Sequence, residues 1–170
     1  MPSVLIISDS HGLTQEVQDI KARHQQQVDA MIHCGDAELS LESEPLQGFY
    51  YAKGNCDFES SMENEQVFSV EGLTFLVTHG HLFQIKSTLM PLSYRAEQVG
   101  ADVVCFGHSH QVAAEKVKNQ FFINPGSSRL PRDRKEATYA ILEWEGNDLT
   151  LHYYEVNGKP LESLRVDVTL

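Results

Sequence analysis

Five short clusters of Asp, Asn, His and Gly each follow directly upon an apolar, strand-like segment. They are Asp9-Ser10-His11, Gly35-Asp36, Gly54-Asn55-Cys56-Asp57, His79-Gly80-His81 and Gly107-His108-Ser109-His110. This feature constrains the fold more than any other, because strand ends in an open α/β sheet face one crevice. Loops separated by roughly a hundred residues of chain can converge there. Taken singly, each cluster has an ordinary reading. Ser8-Asp9-Ser10 can cap a helix that begins near Leu13, Gly35-Asp36 and Gly54-Asn55 are common turn dipeptides, and a lone His-Gly or Gly-His is a loop. The conjunction carries more weight: five of the eight histidines lie in these clusters, and glycine adjoins or nearly adjoins each one, letting the backbone approach an ion closely. Their side chains are oxygen and imidazole donors suited to Mn, Fe, Zn or Ni. Cys34, Cys56 and Cys105 never form Cys-x-x-Cys, so neither a thiolate zinc site nor a disulfide framework is indicated.

The segments between the clusters give the scaffold. Ser3–Ser8 and Val28–His33 read as buried strands around a helix running from Leu13 to about Gln26, marked by Leu13, Val17 and Ile20 at helical spacing. A short helix over Leu39–Leu46 and a strand over Gly48–Ala52 follow. This rhythm predicts parallel pairing with right-handed crossovers. Gln66–Val70 and Leu73–Thr78 flank a hairpin signal at Glu71-Gly72. Met90–Val99 reads as a helix, with Pro91 near its start and Gly100 at its end, and Asp102–Phe106 as a buried strand. Val112–Val117, Phe121–Asn124, Thr138–Trp144 and Leu149–Val156 complete a largely antiparallel half. No repeat or linker divides the chain, so a single α/β domain over residues 1–170 with two facing sheets is expected.

Asp-x-His, Gly-Asp, Gly-Asn-x-Asp, His-Gly and Gly-His-x-His, in that order, resemble the calcineurin-like metallophosphoesterase superfamily, and its small bacterial and archaeal phosphodiesterase branch in particular. The resemblance runs from residue 1 to about 157. It implies a four-layer α/β/β/α sandwich of two mixed sheets flanked by helices, with two divalent ions per chain. Mn²⁺ is expected first, with Ni²⁺, Fe²⁺ or Zn²⁺ as alternatives. Carried over by motif, Asp9, His11 and His110 would bind one ion, Asn55, His79 and His108 the other, and Asp36 would bridge them. The resemblance further implies catalytic roles for Asp36, Asn55 and His81. Substrate contacts would come from Asn55 and from the loop containing Asn124, Gly126, Ser127 and Arg129. Two ions about 3.5–4 Å apart can share a carboxylate and a hydroxide that attacks a small phosphodiester in line.

Many superfamily members carry His where this chain has Cys56, whereas the small-phosphodiesterase branch commonly has Cys. A thiol of pKa about 8.5 is a weak substitute for an imidazole acid, so Cys56 is expected to be a packed wall residue and Asp57 to cap the following turn. His81 could reach the second ion, face substrate, or orient a ligand. His33 reads as a satisfied core histidine, and His24 and His152 as ordinary helix and strand residues.

Composition narrows the partners. With 13 basic and 24 acidic residues the net charge is −11, which argues against long nucleic acids. Arg129, Arg132, Arg134 and Lys135 form a patch able to meet one or two phosphates. Apolar runs such as Val4–Ile7 and Val103–Phe106 fall far short of the ~18 residues that a membrane span needs, and the N-terminus lacks a basic region and a longer apolar stretch. A cytoplasmic protein without a membrane partner is expected. A small phosphoester substrate in an open site, and a homo-oligomer as an option, complete that expectation. The alternative is a non-catalytic protein-binding scaffold, since a retromer subunit resembles this fold. Competent residues at all seven ligand positions favour the enzyme. A dinucleotide-binding domain fails because the first loop lacks Gly-x-Gly-x-x-Gly.

Overall fold

A computed structural model describes residues 1–170. In chain order the elements are β1 (Ser3–Ile7), α1 (Gln15–His24), β2 (Ala30–His33), β3 (Phe49–Tyr51), β4 (Glu65–Val70), β5 (Leu73–Thr78), α2 (Met90–Val99), β6 (Val103–Cys105), β7 (Val112–Val117), β8 (Gln120–Pro125), β9 (Thr138–Glu145), β10 (Asp148–Glu155) and β11 (Val166–Thr169). Short 3₁₀ turns span Glu44–Leu46, His81–Phe83 and Glu162–Leu164.

β1 is buried at every position, as a strand covered on both faces must be. Side chains alternate across a strand. Val4 and Ile6 face inward to meet Phe75, Val77, Val103, Phe121 and Ile123 of the opposing sheet. Leu5 and Ile7 face outward against Val17 and Ile20 of α1. On the far side, Leu76, Val104 and Phe122 pack under Leu92 and Ala96 of α2. These three apolar contacts stack helix, sheet, sheet and helix, the four layers expected from the sequence. One sheet has the order β11-β10-β9-β1-β2-β3 and the other β4-β5-β6-β8-β7. Both are mixed: β1, β2 and β3 run parallel while β9 joins β1 antiparallel, and β5, β6 and β8 run parallel between antiparallel β4 and β7.

The polar clusters follow β1, β2, β3, β5 and β6, all members of parallel sets. Their carboxyl ends therefore open on one side of the sandwich.

Three local expectations are corrected. The helix expected over Leu39–Leu46 shrinks to the 3₁₀ turn at Glu44–Leu46, because Pro45 has no N–H to donate and disfavours helical backbone at the residue before it. The strand expected over Phe121–Asn124 runs one residue further at each end: Pro125 pairs with Val112 in β8, and only Gly126, at φ 78°, turns. Beyond Val156 the chain adds β11 on the edge of the first sheet, paired through Val166 and Val168 with Leu151 and Leu149.

Candidate metal centre

The loops at the strand ends are short and tightly folded. Asp9, His11, Asp36, His108 and His110 all adopt left-handed backbone, with φ between 40° and 71°. Asp and His tolerate that region better than most residues, and the strain concentrates where side chains must be aimed. Backbone bonds then lace the loops pairwise. Asp9 N–H donates to the Gly35 carbonyl and His11 N–H to that of Asp36, both at 2.9 Å, and Gly107 N–H donates to the His79 carbonyl at 3.0 Å. Two glycines are required by space: a Cβ at Gly54 would collide with the Asp36 carboxylate, and one at Gly107 with Ser8 and Asp9.

The side chains converge as three overlapping groups, Asp9/His11/His110, Asp9/Asp36/His79 and His11/Asp36/Cys56, within each of which potential ligand atoms lie within 4.8 Å of one another. Three histidines are oriented alike. The Nδ1 of His79 donates to the Cys34 carbonyl, that of His110 to the Leu130 carbonyl, and that of His11 to Glu38 Oε2, each at 2.8 Å. That pattern fixes the tautomer and leaves Nε2 with a lone pair for a metal. All three Nε2 atoms turn toward the two carboxylates. Asp9 Oδ1 lies 3.2 Å from His110 Nε2, 3.7 Å from His79 Nε2 and 3.8 Å from His11 Nε2, and Asp36 Oδ2 lies 3.1 Å from His79 Nε2. Asp9 Oδ1, His79 Nε2 and His81 Nδ1 are buried without a hydrogen-bond partner. Leaving such atoms bare costs free energy unless something else satisfies them, and this donor set suits a hard-to-borderline cation.

The carboxylates are held charged. Burial opposes ionisation of Asp9, but the nearby rings of His110 and His79 and the Ser8 hydroxyl outweigh it and keep its pKa below the usual range. Burial also opposes ionisation of Asp36, and His79, the Cys56 N–H and His11 overcome it and hold its pKa below the usual range. His108 is pushed down to about 4 by burial and by the charges of His79 and Lys86, which keeps its imidazole neutral.

The remaining expected residues stand around this core. The His108 ring lies 5.1 Å from that of His79, and the His108 backbone N–H donates to Asp9 Oδ2 at 3.0 Å. His81 opens a 3₁₀ turn with its ring 5.3 Å from His79. Asn55 sits at the exposed rim, its amide nitrogen 3.7 Å from Cys56 Sγ. Cys56 is exposed and sits with His11 and Asp36, so it is not the packed wall residue expected. Arg129 is anchored by a hydrogen bond from its guanidinium to the His11 carbonyl.

Asn124 is fully buried, donating to the Gly107 carbonyl and Ser109 Oγ and accepting from Gly126 N–H. Ser127 Oγ donates to the Asp9 carbonyl and accepts from the Arg129 and Leu130 amides. Asn124 and Ser127 thus hold the fifth and first loops with their side chains, and Gly126 N–H holds Asn124 in place.

Sequence reasoning missed three supports. Asp57 does not cap the following turn. Its Oδ2 accepts from Tyr51 OH at 2.6 Å, Gly54 N–H at 2.8 Å and Asp36 N–H at 3.0 Å, and its Oδ1 accepts from Glu38 N–H at 3.0 Å. Its position within the Gly-Asn-x-Asp cluster was the only signal. Glu38, which orients His11, carried none. His33 is a satisfied core histidine as expected, but it also links two loops, accepting from Gly35 N–H on Nδ1 and meeting Ser10 Oγ with Nε2 at 2.9 Å.

Residues 3–147 match the calcineurin-like phosphoesterase superfamily domain. The chain is 49% identical over 168 residues to the probable metallophosphoesterase YsnB of Bacillus subtilis, covering 99% of each chain. A crystal structure from Streptococcus pneumoniae, described as a predicted phosphoesterase, superposes with a TM-score of 0.96 at 29% identity, covering 99% of this chain and 98% of that one. Vps29 from Entamoeba histolytica, solved in complex with zinc, shares the fold at a TM-score of 0.76 and 18% identity, covering 99% of this chain and 98% of its own. The order of the five clusters, the four-layer sandwich and these likenesses converge, and the chain belongs to the calcineurin-like phosphoesterase superfamily.

Proposed function

We propose that the chain is a phosphodiesterase working with two divalent ions, Mn²⁺ first among them, on a small diester. The observation that carries this reading is the pair of bare buried atoms, Asp9 Oδ1 and His79 Nε2, facing one another among three histidines whose Nδ1 protons are already committed. Asp9, His11 and His110 would hold one ion and Asn55, His79 and His108 the other, with Asp36 between them. The ions would supply an activated water and positive charge for the phosphoryl oxygens. Arg129 adds a fixed cation for the substrate, and the Asn55 amide can turn its oxygen inward while its NH₂ donates to phosphate. His81, whose ring lies 5.3 Å from that of His79, would exchange a proton with the substrate.

Elemental analysis after Mn²⁺ loading is expected to give two ions per chain, with anomalous scattering placing both beside Asp36. Asp36→Asn should lower hydrolysis of bis(p-nitrophenyl) phosphate by orders of magnitude, whereas Lys118→Gln, remote and exposed, should not. One ion per chain sinks the dinuclear reading, and equal rates in the two folded variants sink the site. A chain that binds metal yet turns over no ester would favour the scaffold.

A further inference from the structure

On the outer face of the five-stranded sheet, between the segment after the His81–Phe83 turn and β7, lies a cleft of about 380 Å³. Ile85, Leu89, Phe106 and Ala113 give it an apolar lining, and Lys86 and Arg132 supply two cations. Its wall includes the loop that carries two of the expected ligands. Ser109, which also lines it, stands between His108 and His110, and the Arg132 N–H donates to the His110 carbonyl at 3.0 Å. Neither cation of the cleft forms a salt bridge, whereas Arg95, Lys118, Arg134 and Arg165 are paired with Glu65, Glu97, Glu136 and Asp167. In a chain of net charge −11, these two cations stand over an apolar surface next to the loop that carries His108 and His110. Glu115 at the same cleft repels a second anion from its own side, so a negative group belongs at Lys86 and Arg132.

We infer that this cleft binds the arm of the diester that is not expelled, and selects an arm with an apolar body bearing a negative charge of its own, as in a nucleoside with a second phosphate. The inference rests on the phosphodiesterase reading for its reaction, though not for the binding itself. Three esters with one leaving group, p-nitrophenolate, separate the contributions: methyl p-nitrophenyl phosphate, thymidine 5′-(p-nitrophenyl phosphate), and the latter with a 3′-phosphate. For the Mn²⁺-loaded protein kcat/KM should rise in that order. Replacing both cations (Lys86→Gln with Arg132→Gln) should cut the ratio of charged-arm to methyl ester about tenfold, and Ala113→Trp should cut the ratio of neutral-arm to methyl ester. Binding is read separately in metal-free protein. Titration with thymidine 3′,5′-bisphosphate should shift the amide resonances of Lys86, Gln111 and Ala113 in wild type and not in the double variant. Ratios and resonances that stay unchanged overturn the inference. If no ester turns over but the resonances still respond through Lys86 and Arg132, the cleft stands and the phosphodiesterase reading falls.

Discussion

One carboxylate, Asp57, accepts four hydrogen bonds and thereby ties the second loop to the third. Asp57→Asn places an NH₂ group among donors. With charged hydrogen bonds worth about 1.5–3 kcal/mol each, the loss should be roughly 3 kcal/mol in urea denaturation, with metal affinity falling alongside, while exposed Glu162→Gln leaves both alone. His33 gives a pH signature. Its Nδ1 already accepts from Gly35, so protonation would set donor against donor, and burial pushes its pKa down to about 4. Between about 6.5, the ordinary value, and that figure, the unfolded chain binds the proton and the folded chain does not. Stability therefore falls as pH drops through this window, by up to ~1.4 kcal/mol per pH unit. Metal-free His33→Gln should show a shallower loss between pH 6.5 and 4.5, and an unchanged slope would assign the acid sensitivity elsewhere. At this scale the sequence revealed the donors and not their partners. Asp9, His79 and His110 announce themselves by residue type, but the acceptors that orient the rings, Cys34 O, Leu130 O and Glu38, are neighbours only once the strands are aligned.

Among the elements, the loops depend on glycines that leave room. Gly54→Ala or Gly107→Ala should keep the sandwich, seen by circular dichroism, yet reduce Mn²⁺ affinity at least tenfold by pushing Asp36 or Asp9 aside. Gly72→Ala is the contrast: it has no neighbour within 4 Å of its added methyl, and only its left-handed turn is strained. Affinities alike across the three variants would refute the steric argument. Long periodic elements were legible, and α2 and β5 have the expected bounds. What failed was local signal opposed by context. β11 alternates Val166 and Val168 with Asp167 and Thr169 over only four residues, too short to stand out without β10 beside it. Pro125 has turn composition, but β7 recruits it into β8.

For the whole molecule, ions that bind only the folded state raise its stability by mass action. At a hundredfold excess over Kd that is about 2.7 kcal/mol per site, or roughly 5–10 °C in a chain this size. Adding Mn²⁺ to chelator-treated protein should raise Tm by at least this much, and Asp36→Asn should abolish most of the rise. A Tm indifferent to metal would contradict the buried ligand set. The sheet order carries a further consequence, for biosynthesis. Every cluster has been translated by His110, yet β1 lies between β2 and β9, with Ser3 paired to Glu143. At about 5–20 residues per second, a ribosome needs on the order of ten seconds to deliver the neighbour for the first strand it made. For the last few seconds of that interval, after His110 and before β9, the nascent chain holds a full set of ligands on an unclosed sheet whose fully buried strand β1 has an open edge, the kind of edge that recruits other chains. Force profiles on arrested nascent chains should therefore show the folding transition only after β9 has left the exit tunnel, and loading of the metal centre should come after translation rather than during it.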